Sequence, residues 1–191
     1  MPALPEVYVI GDSISMGYTP PLAERLAGRA VVVHNPGNGG DSANVLANAD
    51  AWLAGRSPAV IHFNCGLHDI KVSRETGAHQ VPPEAYRAGL ERIVEKLQAT
   101  GATLIWATST PVIEDRHHAR KDFDRANRDV DAANAAAAEV MAAAGVAVDD
   151  LHAAATALGL SEALTDDGVH FTEAAYARLA DTVAECVGRV L

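Results

Sequence analysis

The chain has 191 residues, 49% apolar and 21% charged, with a formal charge of -10 at pH 7; this suits one globular domain, residues 1–191, with a core of its own. The acidic balance and the lack of a long basic run exclude nucleic acid or an anionic membrane as a main partner. No apolar run approaches the ~20 residues that span a bilayer, and no basic-then-apolar leader is visible, so a cytoplasmic protein is expected unless a leader has been removed.

Val7-Tyr8-Val9-Ile10 reads as a buried first strand that runs straight into Gly11-Asp12-Ser13. A short loop then leads to a helix over Pro20–Ala27, with proline in its first turn and Gly28 past its end. Ala30–His34 is a second strand. The loop Asn35–Ser42 follows, with glycine at 37, 39 and 40, a backbone built to come close to something. Asp41 or Ser42 caps a helix that carries Val45, Leu46, Ala49, Trp52 and Leu53 on one stripe.

Ala59–Gly66 is a third strand, followed by Leu67-His68-Asp69 and a polar loop to Pro83. Leu90, Ile93, Val94 and Leu97 mark a helix from Glu84 to Thr100, ended by Gly101. Ala102–Thr108 is a fourth strand. The solvated loop 110–121 after it holds Arg116, His117, His118, Arg120 and Lys121. An alanine-rich helix runs from about Asp122 to Ala144. Gly145–Asp149 is a fifth strand, Asp150–Leu160 a small helix, and Leu164–Thr172 a loop. A last helix extends to Val190 with Tyr176, Leu179, Val183 and Val187 on one face. Cys65 and Cys186 have no metal-like spacing and read as buried free thiols, with a single disulfide as the alternative.

Five strands alternating with helices indicate a doubly wound, parallel α/β sheet with helices on both faces. The expected topology is flavodoxin-like, a three-layer sandwich with strand order 2-1-3-4-5. In such a sheet the carboxyl ends of the strands share one edge. Ser13, the glycine loop, His68-Asp69, and the Asp167/His170 loop all follow strand ends or precede the last helix, so they converge there. An isolated Gly-Asp-Ser is more often a turn whose Asp12 or Ser13 caps a helix; the convergence favours chemistry.

That chemistry is acyl transfer. Ser13 needs a base, for which His170 is the candidate, and Asp167, three residues earlier, can orient it. The backbone N–H groups of Ser13 and Gly40 and the side chain of His68 are candidate oxyanion donors. Asp12 and Asp69 are loop ties or substrate contacts, and His117 and His118 are surface groups or a lid facing an anionic or sugar substrate. Asp166 is a solvated neighbour of Asp167 or the orienting acid itself. No His/Cys cluster has zinc-like spacing, so neither metal nor other cofactor is expected.

Over nearly its whole length the chain resembles the SGNH (GDSL-like) hydrolase family. Gly11-Asp12-Ser13 is similar to its serine block, Asn35–Ser42 to its glycine block with Gly40 at the oxyanion position, and Asp167-Gly168-Val169-His170 to its Asp-x-x-His. One block departs: the family's Gly-x-Asn-Asp is here Gly66-Leu67-His68-Asp69. Asparagine offers two fixed donors and neutral histidine only one, so His68 either replaces the donor or touches substrate. The resemblance implies a flavodoxin-like sandwich and a metal-free serine esterase acting on small-molecule or carbohydrate esters. Short acyl groups, O-acetyl on carbohydrate among them, lead because the loops are short and polar. Lysophospholipase or thioesterase activity is the runner-up, and a non-catalytic carbohydrate- or nucleotide-binding domain is the alternative of another class. Oligomeric state is not readable.

Overall fold

Val7, Val9 and Ile10 are fully buried on β1 (Glu6–Ile10), as a strand with a neighbour on each side and a helix on each face requires. The computed structural model describes residues 3–191. After β1 come α1 (Ser13–Arg25), β2 (Val31–His34), α2 (Ser42–Leu53), β3 (Val60–Phe63), β4 (Val72–Ser73) and α3 (Pro83–Gln98). The chain continues through β5 (Thr103–Ala107), α4 (Glu114–Arg120), β6 (Phe123–Asp124), α5 (Asn127–Ala144) and β7 (Ala147–Asp149). It ends with α6 (Leu151–Ala157), α7 (Leu160–Ala163) and α8 (Glu173–Gly188).

The sheet has five strands in the order β2-β1-β3-β5-β7, all paired in parallel. Counting only the strands of this sheet, that is the expected 2-1-3-4-5. The chain moves one way from β1 to β2 and the other way from β2 onward. Right-handed crossovers therefore place α1 on one face and α2, α3 and α5 on the other. The packing agrees: α1 lies against α8, and α2, α3 and α5 pack in series. Trp106, Tyr8, Phe63, Ile61 and Ile105 fill the space between sheet and helices.

Four local expectations are corrected. The first helix starts at Ser13, not near Pro20, and runs through Pro20 and Pro21. Ile14, Tyr18, Leu22 and Leu26 recur every four residues and are all buried, so packing against α8 holds the helix despite the lost proline N–H groups. Thr19 Oγ1 donates to Ser15 O at 2.6 Å in the turn before the prolines. The 110–121 segment contains α4 rather than a solvated loop. The alanine-rich helix begins at Asn127, because Phe123-Asp124 pairs antiparallel with Val72-Ser73. Cys186 is only half-buried; both thiols are free.

Beneath the sheet edge, His62 on β3 is 0% exposed. It lies between the Tyr18 hydroxyl (3.3 Å from Nδ1) and Asp149 Oδ2 (3.0 Å from Nε2). Removing the imidazole leaves a buried carboxylate and a buried phenol each without that partner. His62→Leu is expected to lower unfolding stability by ~1–3 kcal/mol in urea denaturation; an unchanged midpoint would mean the network contributes no stability.

Candidate active site

The site is assembled where β1, β2 and β3 end. Asp12 caps α1: its Oδ1 accepts the Ile14 N–H at 2.9 Å, so Ser13 is the first residue of the helix. The N–H groups of a first helical turn have no intrahelical acceptors, and the Ser13 N–H is one of these.

The glycine loop is tied directly to this turn. Gly39 N–H donates to Gly11 O at 2.8 Å, and Gly11 N–H donates to Asn35 Oδ1 at 2.8 Å. A Cβ on Gly39 would stand 2.6 Å from Gly11 O, which explains the glycine there. Gly40 N–H donates to Asn38 Oδ1 at 2.8 Å in an Asx-type turn. Asp41 caps α2 through the Asn44 N–H.

Asp167 and His170 come from the turn before α8. Thr165 N–H donates to His170 O at 2.8 Å and Gly168 N–H to Thr165 O at 3.0 Å, closing that turn. Gly168 has φ +71, and α4 packs onto it: Ile113 N–H donates to Gly168 O at 2.8 Å. Arg116 reinforces the turn from the same helix, donating to Leu164 O and Ser161 O at 3.1 Å each.

The outcome is a continuous chain of hydrogen bonds. Ser13 Oγ lies 2.8 Å from His170 Nε2, and His170 Nδ1 lies 2.5 Å from Asp167 Oδ2. Asp167 Oδ1 accepts from the N–H groups of Val169 and His170 (3.0 Å each) and from Thr165 Oγ1 (2.9 Å). Burial pushes the Asp167 carboxyl upward. The hydrogen bonds from the His170 side chain and backbone, Val169 and Thr165 outweigh it and hold the group well below the ordinary carboxylate range. Asp166 points outward, 91% exposed, 3.6 Å from Arg120, and has no part in this chain.

A cleft of about 180 Å³ opens beside Ser13 and His170. Asp12 and His68 lie on its wall, His68 Nε2 at 3.9 Å from Asp12 Oδ2. Burial, opposed by Asp12 and aided by Lys71 and Arg125, lowers the His68 pKa to about 4, so the ring is neutral near pH 7. Asn38, Lys71, Lys121 and Arg125 complete the polar side of the cleft, and Leu67, Phe123 and Val169 its apolar side. Neither His117 nor His118 lies on this wall. His117 is fully buried: its Nε2 faces Arg125 Nη1 at 3.1 Å, its ring meets Phe123 edge-on, and its Nδ1 has no partner among the described residues. His118 is exposed and bound to Asp124 Oδ1 at 2.8 Å. Asn38, Lys71 and Arg125 are the cleft residues that sequence patterns do not single out. The available signals were that Asn38 and Lys71 follow strand ends and that Arg125 interrupts a helical-looking run.

Asp69 stands behind this wall rather than on it, 1% exposed. It accepts from the Ser42 N–H at 2.9 Å and from the Ser42 hydroxyl, joining the loop after β3 to the start of α2. Among the described residues no His/Cys/Asp/Glu group could hold a metal, and no helix is long and apolar enough to cross a membrane.

A family model described as GDSL-like lipase/acylhydrolase matches residues 9–178. No curated protein sequence matches the chain. Among solved structures, the lipase/acylhydrolase from Enterococcus faecalis is similar at 22% identity over 97% of each chain, with a TM-score of 0.81. An α/β hydrolase enzyme from the metagenome of Lake Arreo, Spain, is 19% identical over 100% of this chain and 98% of its own, TM-score 0.80. An acetyl xylan esterase is 15% identical over 95% of this chain and 99% of its own, TM-score 0.79. At these identities the likeness is one of fold.

Burial raises the Asp69 pKa from 3.8 to about 6 against the pull of the Ser42 hydrogen bonds. Between those values the native chain holds more protons than the unfolded one. The contribution to stability is therefore full below pH 3.8 and is lost as pH rises through about 6. Relative to wild type, Asp69→Asn is expected to gain stability from pH 4 to pH 7, by up to ~3 kcal/mol, in paired urea titrations. A difference that stays flat across that range would contradict this.

Proposed function

The chain belongs to the GDSL-like lipase/acylhydrolase family, and from that premise we propose that it is a serine esterase acting on short-chain carboxylic esters, O-acetyl groups on carbohydrates foremost. The observation that carries this is the Ser13–His170–Asp167 chain of hydrogen bonds. Asp167 Oδ2 accepts the Nδ1 proton of His170 and so leaves the Nε2 lone pair facing the Ser13 hydroxyl. As Ser13 Oγ bonds to the ester carbonyl carbon, His170 takes the hydroxyl proton. The tetrahedral oxyanion collapses, the C–O bond to the alcohol breaks, and His170 returns the proton to the departing oxygen. Water, deprotonated by the same imidazole, then attacks the acyl-enzyme and releases the acid.

The oxyanion is held by the N–H groups of Ser13 and Gly40 and by His68. The Asn38 carboxamide oxygen already accepts from Gly40 N–H, the same kind of bond that a substrate oxygen would replace. The depressed His68 pKa supports a neutral ring throughout the working range, one N–H being available to donate. Asp12 and Asp69 act through position: one starts the helix that carries Ser13, the other braces the loop that carries His68. A short acyl group is supported by the cleft, whose apolar lining is limited to Leu67, Phe123 and Val169. The fold shared with an acetyl xylan esterase points the same way by analogy only. A domain that merely binds carbohydrate has no use for a carboxylate-oriented histidine against a serine hydroxyl.

Ser13→Ala is expected to abolish turnover of p-nitrophenyl acetate; activity retained in that variant would return the protein to the binding-domain reading. His68→Ala is expected to lower kcat by about 10²–10³ with KM little changed. A defect confined to KM in the same steady-state assay would make His68 a substrate contact instead.

A further inference from the structure

The cleft beside Ser13 collects positive charge that the chain does not neutralise. Of Lys71, Lys96 and Lys121, all the lysines in the sequence, Lys71 and Lys121 lie on its wall, while Lys96 pairs with Asp50 on the far surface. Arg125 lies there too, 7% exposed. Its Nε donates to Leu67 O at 2.5 Å and its Nη1 to His117 Nε2 at 3.1 Å, whereas Nη2 donates to nothing among the described residues. Among those residues no carboxylate oxygen comes within 4.0 Å of the charged nitrogens of Lys71, Lys121 or Arg125. Asp12 is the one acid on the wall, against Lys71, Lys121 and Arg125.

Two of these cations, Lys71 and Arg125, are held against one ring. The Lys71 ammonium and the Arg125 guanidinium each lie 5.1 Å from the centre of the Phe123 ring. Burial lowers the Arg125 pKa to about 10, against the pull of Asp12 and Asp167. Burial and the nearby Arg125 lower that of Lys71, against the pull of Asp41, Asp12 and Asp69. Asp12 and Asp167 act on the buried guanidinium from a distance, but neither pairs with it directly, and its free edge suits a carboxylate, sulfate or phosphate oxygen. In a chain of formal charge -10 this is a local reversal of sign.

We propose that the cleft selects esters that bear a negative charge on the alcohol side, with the carboxylate, sulfate or phosphate of that alcohol seated against Lys71, Lys121 and Arg125. An acetylated acidic sugar is the kind of substrate this describes. The inference rests on the esterase reading above. It places the charge on the alcohol because an acetyl group has nowhere to carry one.

The test compares kcat/KM for 3-acetoxybenzoate and its neutral isostere 3-acetoxybenzamide, with 3-acetoxyphenyl phosphate distinguishing a preference for phosphate from one for carboxylate. The anionic ester is expected to be preferred about ten-fold at low salt, and the preference to shrink as sodium chloride rises. K71Q and K121Q should each reduce that ratio several-fold and R125Q most, with R125K recovering part of it; if R125Q does not fold, the lysine variants carry the test. Equal or better use of the benzamide by wild type, or a ratio unchanged in the K71Q/K121Q double variant, overturns charge selection and leaves the esterase reading standing. Failure of wild type to hydrolyse any of the acetates, or hydrolysis that survives Ser13→Ala, overturns both.

Discussion

One hydrogen bond, between Ser13 Oγ and His170 Nε2, joins residues 157 positions apart, and the fold is what brings them together. Neither residue is reactive alone: a serine hydroxyl is a weak nucleophile, and a free imidazole holds no fixed tautomer. The parallel sheet brings the end of β1 and the turn before α8 to one edge. The α1–α8 packing then keeps the helix that begins at Ser13 in register with the helix that His170 precedes.

The surrounding residues act mainly by removing freedom. Asp12 sets where α1 begins. Gly39 lets the glycine loop press on Gly11, and Asn35 ties the same two segments by a second bond. Asp69 and Ser42 brace the loop bearing His68. On the other flank, α4 rests on Gly168, between Asp167 and His170, and Arg116 secures the carbonyls of Ser161 and Leu164 just before that turn. This is the rigidity that acyl transfer needs: groups aimed beforehand at where charge will develop, so that little reorganises during reaction. The cleft wall adds a second electrostatic feature, since neutral His68 sits within the field of Lys71 and Arg125.

Much of this was legible in the sequence because it rests on periodicity and punctuation. The alternation of apolar runs and helical stripes specified the sheet and its order, and the glycine-bounded strand ends marked the edge where polar residues gather. What could not be read depends on contacts distant in sequence. The stripe Ile14-Tyr18-Leu22-Leu26 was hidden by Pro20 and Pro21, whose local penalty is overridden by packing on α8. The paired segments Val72-Ser73 and Phe123-Asp124 are two residues each, too short for any pattern, and are held by Arg74 reaching Asp124 and His118 O. That pairing delays α5 to Asn127 and brings Arg125 to the cleft, where helical propensity alone would have carried it into the helix. The basic segment 110–121 looked solvated from its charge, yet His117 is buried inside it because Arg125 and Phe123 close over the ring.

In the proposed mechanism the imidazole at 170 makes the hydroxyl at 13 nucleophilic. Reaction of the protein with an organophosphonate probe, followed by mass-spectrometric mapping of the adduct, tests it directly. A single covalent adduct on Ser13 is expected, suppressed in His170→Ala. Labelling elsewhere, or labelling of Ser13 at an undiminished rate in His170→Ala, would contradict it.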